Sequence, residues 1–321
     1  MKKFLLLLLM PLAVLSVSAQ SNDYNMVIEL KNGTKVTLGA NDVENLTFNG
    51  EALSISGNTI AEMKSEIEEL RALISQLQDQ VNPVRTYTVN GVSFKMVKVA
   101  GGTFQMGATE EQGNDAYSNE YPAHSVTLSD YRIGETEVTQ ELWVAVMGSD
   151  PSNFTDDNQR PVESVTWNDC QTFISKLNEL TGLSFRLPTE AEWEFAARGG
   201  NASQGFKYAG SNTIDNVAWY WDNVPSQSIN TAGYGTQPVA TKAPNELGLY
   251  DMSGNVFEWC QDYDSSYSSS AQTNPTGPSS GSFRMIRGGC WYGTARYCRV
   301  SYRDNLSPSR GNLTIGLRLA L

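Results

Sequence analysis

The sequence predicts an α+β chain dominated by one loop-rich domain over residues 86–321, preceded by a short β region and a coiled-coil helix. Three observations carry this expectation. From Thr86 onward the chain is rich in Gly, Trp, Tyr, Asn and Ser and has few long periodic stretches, the pattern of short strands joined by loops. Two segments of that domain nevertheless read as capped helices. Upstream of it, apolar residues recur at heptad spacing.

The N-terminus begins with Lys2-Lys3, an apolar run from Phe4 to about Leu15, and Val17-Ser18-Ala19. A basic stretch, an apolar stretch and small residues, in that order, make a secretory signal peptide over residues 1–19. The run is too short to span a bilayer. Cleavage after Ala19 and export to the periplasm, cell surface or medium are expected. No cysteine stands there to carry a lipid.

Residues 20–57 read as short β structure. Met26-Val27-Ile28-Glu29-Leu30 and Lys35-Val36-Thr37-Leu38 flank Asn32-Gly33, a hairpin signal. Leu46-Thr47-Phe48 and Leu53-Ser54-Ile55 follow. So short a stretch buries little core by itself. Residues 58–82 read as a helix. Ile60, Met63, Ile67, Leu70, Ile74, Leu77 and Val81 form a heptad seam, Thr59 and Glu62 fit a capping box, and Pro83 ends it. Ile at a and Leu at d favour a parallel coiled coil, so a homo-oligomer through residues 60–81 is expected. The other reading is a helix packed on its own domain.

Within residues 86–321 one helix is expected from about Trp167 to Leu180, capped by Thr166, with Cys170, Phe173, Ile174 and Leu177 on one face. Another runs from Thr189 to about Arg198, opened by the Thr189–Glu192 capping box and closed by Gly199-Gly200.

The formal charge of −12 disfavours nonspecific nucleic-acid binding. Charge is uneven, however. From Phe283 onward Arg284, Arg287, Arg296, Arg299, Arg303, Arg310 and Arg318 face a single acid, Asp304. Arginine forks of this kind bridge carboxylates and carbonyls, or form a binding patch. The four cysteines, Cys170, Cys260, Cys290 and Cys298, allow three disulfide pairings and no C-x-x-C zinc site. His124, the single histidine, sits in an alternating run and reads as structural.

Several motifs in order resemble the formylglycine-generating, or sulfatase-modifying factor, family. They are Gly101-Gly102-Thr103-Phe104-Gln105-Met106-Gly107, Glu137-Val138-Thr139 and Pro161-Val162-Glu163-Ser164-Val165-Thr166-Trp167. Next come Arg186-Leu187-Pro188-Thr189-Glu190-Ala191-Glu192-Trp193-Glu194, the stretch from Asn245 to Trp259, and Gly316-Leu317-Arg318. The resemblance covers the whole domain and implies a C-type-lectin-like fold stapled by calcium. By the same resemblance one calcium takes the Asp251 and Glu258 side chains and the Gly254 and Val256 carbonyls. A second family site, starting near Asn216, loses its acid at Ala232.

The resemblance also implies an activity, copper(I)-dependent oxidation of a sulfatase cysteine to formylglycine, and here the chain departs from the pattern. The family's two copper cysteines stand five apart. The second corresponds to Cys298, while the first is Gly293. Copper(I) prefers paired thiolates, which leaves Cys290 and Cys298 as the only catalytic candidates.

The tail resembles something else as well: the variable region of proteins diversified by retroelements, which rewrite Asn-type codons. Tyr292, Gly293, Thr294, Tyr297, Tyr302, Asp304, Asn305, Leu306, Ser307, Gly311, Asn312, Leu313 and Thr314 all fall in the set such codons reach. No Lys, Glu or Gln follows Gln272. The expected function is therefore exported binding of a protein or glycan ligand, with the variable surface in residues 290–314. The alternative is the oxidase. Tyr292, Tyr297 and Tyr302 are candidate contact anchors.

Overall fold

The computed structural model describes residues 83–229 and 231–321, and upstream of them the backbone of six strands. The chain divides into two compact units, Met1–Val81 and Asn82–Leu321.

In the first unit β1 (Phe4–Leu6), β2 (Ala13–Gln20), β3 (Asp23–Leu30) and β4 (Lys35–Gly39) form an antiparallel sheet in chain order. β3 and β4 pair with Glu29 opposite Lys35. β5 (Asn45–Phe48) pairs with β6 (Leu53–Ser56). β1 and most of β2 fall on the stretch read from sequence as a leader. The coiled coil expected over 58–82 and the Asn32-Gly33 turn lie outside the described residues.

The second unit is built from three small sheets and three short helices. β7 (Val84–Val89) and β8 (Val92–Val99) make a hairpin with Val89 opposite Val92. Its two-residue turn is Asn90-Gly91, both with positive φ (48° and 86°), the conformation an Asn-Gly pair adopts most readily. β9 (Gly102–Met106) pairs antiparallel with β10 (His124–Leu128), and β11 (Tyr131–Gly134) with β8.

α1 (Gln140–Met147) is capped by the Thr139 hydroxyl, which accepts from the Leu142 N–H, and ends at left-handed Gly148. α2 (Trp167–Thr181) carries the expected Thr166 cap, completed by Asp169 as a capping box, and buries Cys170, Phe173, Ile174 and Leu177. α3 (Glu190–Ala197) carries the Thr189–Glu192 box. α1 was not legible as a helix. Seated on α2 through the parallel stack of Trp143 on Phe173 (4.8 Å), it gains stability from packing that periodicity does not record.

β12 (Phe257–Tyr263), β13 (Gln272–Thr273), β14 (Arg284–Arg287), β15 (Arg303–Leu306) and β16 (Ile315–Gly316) complete the unit. β13 joins β10. The remaining four form a sheet in the order β15-β14-β12-β16, so the C-terminal tail from Phe283 onward supplies three of its four strands. Trp193, Trp259 and Trp291 are fully buried around this sheet. Among the described residues no helix is long and apolar enough to cross a membrane.

Candidate functional site: the C-terminal tail and its surroundings

The tail is fastened by arginine forks. Buried Arg287 on β14 pairs with Glu194 of α3 and donates to the carbonyls of Val300 (3.0 Å), Ser301 (2.9 Å) and Tyr302. Arg299 clasps Glu120 (2.6 and 2.8 Å), with Ser301 on the same carboxylate. Arg303 clasps Glu190 (2.7 and 2.8 Å). Arg318 clasps Glu258 (2.7 and 3.0 Å) and donates to the Gly134 and Tyr250 carbonyls. Arg284 lies over Trp167 and Tyr263, and Arg296 over Tyr117. Only Arg310 of the seven is exposed.

These pairs are buried, where one cation left without its anion is costly. Burial pushes the Glu120 and Glu190 carboxyls up. Their arginines, with added hydrogen bonds, bring both below the usual carboxylate range. Six of the seven arginines are therefore framework and not a cationic patch.

Between the frame residues most candidate variable positions reach the surface. Tyr292 is 55% exposed and Leu313 37%. Thr294, Gly311 and Asn312 are exposed, and Tyr297, Asp304, Asn305, Leu306, Ser307 and Thr314 are half-buried. Tyr302 and Gly293 are buried. Tyr302 packs among Tyr117 (5.7 Å), Tyr297 (5.0 Å) and Phe257 (6.2 Å), so it is a core contact more than an anchor for a ligand. A Cβ on Gly293 would sit 3.3 Å from the Cys290 carbonyl oxygen and 3.5 Å from its sulfur, tight but open to a small residue. A Cβ on Gly311 would lie 2.8 Å from the Ser164 carbonyl oxygen and 2.8 Å from the Val165 carbonyl carbon, so its exposure hides a wall of backbone.

The four cysteines are free, buried thiols. Burial pushes the Cys290 thiol up to about 12, and Cys298 is raised as well, by burial and by neighbouring Cys290. Cys298 is therefore buried frame beneath the surface, and position 293 offers no sulfur. His124 is buried, with its ring against Tyr267 (4.8 Å) and Nδ1 3.2 Å from the Pro122 carbonyl oxygen, a structural setting.

Around the calcium residues named above, three carboxylates face one guanidinium. Glu137, Asp251 and Glu258 are buried with Arg318. Glu137 accepts from the Val256 N–H (3.0 Å) and the Asn255 amide (2.7 Å). Burial drives its carboxyl well above the usual range, with Asp251 and Glu258 adding to the rise. Asp251 Oδ2 accepts from the Ala240 N–H (2.7 Å), while Oδ1 is buried without a partner. Burial pushes Asp251 up to about 6. Both Glu258 oxygens are already engaged by Arg318 and the Trp193 N–H. The orphaned Asp251 oxygen is the one feature here that suits a hard cation; among the described residues no group of three or more acidic, His or Cys side chains is arranged to hold a metal ion. Of the residues the resemblance names, Asp251, Gly254, Val256 and Glu258, Asp251 offers the open oxygen, whereas Glu258 would have to release Arg318 or the Trp193 N–H to join it. Glu137 was not foreseen; only its place in Glu137-Val138-Thr139 marked it in the sequence.

A groove of ≈ 490 Å³ opens beside the tail, lined by residues 153–156 and by Ile229, Tyr234 and Leu313. Of its lining the sequence pointed to Leu313, as a variable position, and to Ala232, as the lost acid of a second calcium site; the other lining residues carry no motif that marks a groove.

Comparison with known proteins gives a family and several relatives. The family described as the sulfatase-modifying factor enzyme 1-like domain matches residues 81–321. Chaperone protein LppX of Paenibacillus barcinonensis is 35% identical over 267 residues, 68% of this chain and 88% of LppX. The formylglycine-generating enzyme of Streptomyces coelicolor is 30% identical, covering 70% of this chain and 88% of the enzyme. Serine/threonine-protein kinase pkn1 of Chlamydia pneumoniae is 32% identical over 70% of this chain, which spans only 38% of the kinase. Among solved structures, Treponema denticola variable protein 1 matches with a TM-score of 0.64 at 37% identity, over 74% of this chain and 99% of that one.

Proposed function

The chain belongs to the sulfatase-modifying factor family, with its α+β, C-type-lectin-like fold, and on that premise we propose that it is an exported ligand-binding protein whose variable surface lies in residues 290–314. The carrying observation is Gly293. Where the family's oxidases place the first copper cysteine, this chain has a buried glycine, and the remaining tail cysteines are buried thiols. The division of the tail into a mostly buried frame and intervening positions that are mostly exposed or half-buried supports the reading. So do the names of two relatives, a chaperone and a variable protein. Residues 1–19 would direct export, and a coiled coil over 60–81 would join weak sites into an avid one.

The deciding experiment is sequencing of codons 284–321 and the downstream DNA across natural isolates. Substitutions confined to the named tail positions, matching adenines of a nearby template, are the expected result. An invariant tail without a template would return the reading to a fixed binder or the copper-dependent oxidase. The second is tested directly. Wild-type protein is expected neither to hold copper(I) stoichiometrically nor to oxidise a Cys-x-Pro-x-Arg peptide, whereas Gly293→Cys, which restores the spacing, gains copper binding. Equal copper binding by both would revive the oxidase.

Calcium is the structural ion this reading carries. After chelation, about 1 mM calcium, the range of extracellular modules, is expected to raise the melting temperature by several degrees, because an ion that binds only the folded state stabilises it. Asp251→Ala should abolish the increment. An unchanged increment would place calcium elsewhere.

A further inference from the structure

If the ligand meets the tail, it also meets residues the tail does not encode. Fully buried Trp291 is the junction. Its ring packs edge-on to Phe154 (5.3 Å) and Tyr234 (4.9 Å), and its N–H donates to the Leu313 carbonyl (2.8 Å). It also contacts Tyr292 (5.2 Å), which in turn meets Trp221 (4.9 Å). One fixed tryptophan thus holds two candidate variable positions, Tyr292 and Leu313, against a fixed aromatic wall. Between that wall and Leu313 lies the ≈ 490 Å³ groove, within the size of side-chain and small-ligand sites. Ile229 on its rim is 71% exposed, the most exposed large apolar residue among those described.

Charge narrows the occupant. No Lys or Arg lines the groove. Its one ionic residue, Asp156, is paired with Arg160 (2.8 Å). Beyond that pair the flanking loops carry Asp157, and Asp222 next to Trp221; the chain as a whole is −12. Aromatic faces and nearby acids attract ammonium and guanidinium groups, whose aliphatic stems also pack on Ile and Leu.

Resting on the reading proposed above, we infer that this groove binds a peptide segment of a protein ligand that presents a lysine or arginine beside an aliphatic or aromatic side chain. Phe154, Ile229 and Tyr234 fix the class of ligand, and the tail positions select among members of that class.

The test pans full-length protein against a random linear peptide library and, in parallel, a glycan array. Peptides combining Lys or Arg with an apolar neighbour are the expected enrichment. Their affinity should fall roughly tenfold in Ile229→Ser and in Leu313→Ser, truncations of the apolar contact. It should fall about threefold in Asp222→Asn, with a weaker salt dependence. Ile229 and Asp222 are exposed, so these variants are not expected to disturb folding. Enriched peptides without cations, or glycan binding alone, would overturn the inference. Binding lost in Tyr292→Ser but intact in Ile229→Ser and Asp222→Asn would also overturn it, while leaving the tail as the binding surface. No binder in either format, or binding indifferent to all four variants, would sink both readings.

Discussion

Arg287→Ala is expected to lower the stability of the C-terminal unit by about 3–5 kcal/mol, the range for breaking a buried ion pair from one side. The guanidinium and the Glu194 carboxylate are both fully buried. Removing the arginine leaves Glu194 with Arg198 and the Gly107 N–H as its remaining partners. It also leaves the carbonyls of Val300, Ser301 and Tyr302 without their donor. Each unsatisfied buried acceptor carries its own desolvation cost. Arg287→Lys should recover little, because one ammonium cannot reproduce a planar fork that reaches a carboxylate and three carbonyls. Arg310→Ala, at the one exposed arginine of the tail, is the control, expected within about 0.5 kcal/mol of wild type. Urea unfolding followed by tryptophan fluorescence reads all three. A loss below about 1 kcal/mol for Arg287→Ala would mean that the tail is not fastened through this pair.

That contrast explains why the fold was more legible than the site. The Thr166 and Thr189 caps lie within four residues of the groups they serve, so a local pattern reveals them. The arginines of the tail were visible as a cluster, but their partners Glu120, Glu190, Glu194 and Glu258 belong to three separate segments. Nothing in spacing alone says which acid meets which arginine. The same separation hid the groove, which needs Phe154, Ile229, Tyr234 and Leu313 together. It also hid Glu137, which becomes a neighbour of Asp251 and Glu258 only through tertiary packing. α1 escaped for a different reason: its eight residues have no polar face to set a period. By contrast the family motifs, each a continuous run, were readable because they carry the turns and caps of the fold in themselves.

The tail makes a sharper prediction than a list of permitted codons can. Serine at position 311 lies within the set that a rewritten Asn-type codon reaches, so sequence alone leaves Gly311 as free as Asn312. Geometry separates them. A Cβ at 311 would press on the Ser164 carbonyl oxygen (2.8 Å), the Val165 carbonyl carbon (2.8 Å) and the Ser164 carbonyl carbon (2.9 Å). These are backbone atoms, held in place by the hydrogen bond from the Ser164 N–H to the Asn312 carbonyl (3.0 Å). They cannot swing aside as a flexible side chain would, so the chain itself must shift. Gly311→Ser is expected to cost about 1–3 kcal/mol, as overpacking does. Thr294→Asp and Asn312→Asp, at exposed positions, should stay within about 0.5 kcal/mol. In natural isolates position 311 should then remain glycine, position 293 should be confined to small residues, and the exposed positions should vary. Equal variation at 311 and 312, with folded protein from both, would show that the tail backbone moves with its sequence. The frame held by Arg287, Arg299, Arg303 and Arg318 would then set the path of the chain less strictly than these contacts require.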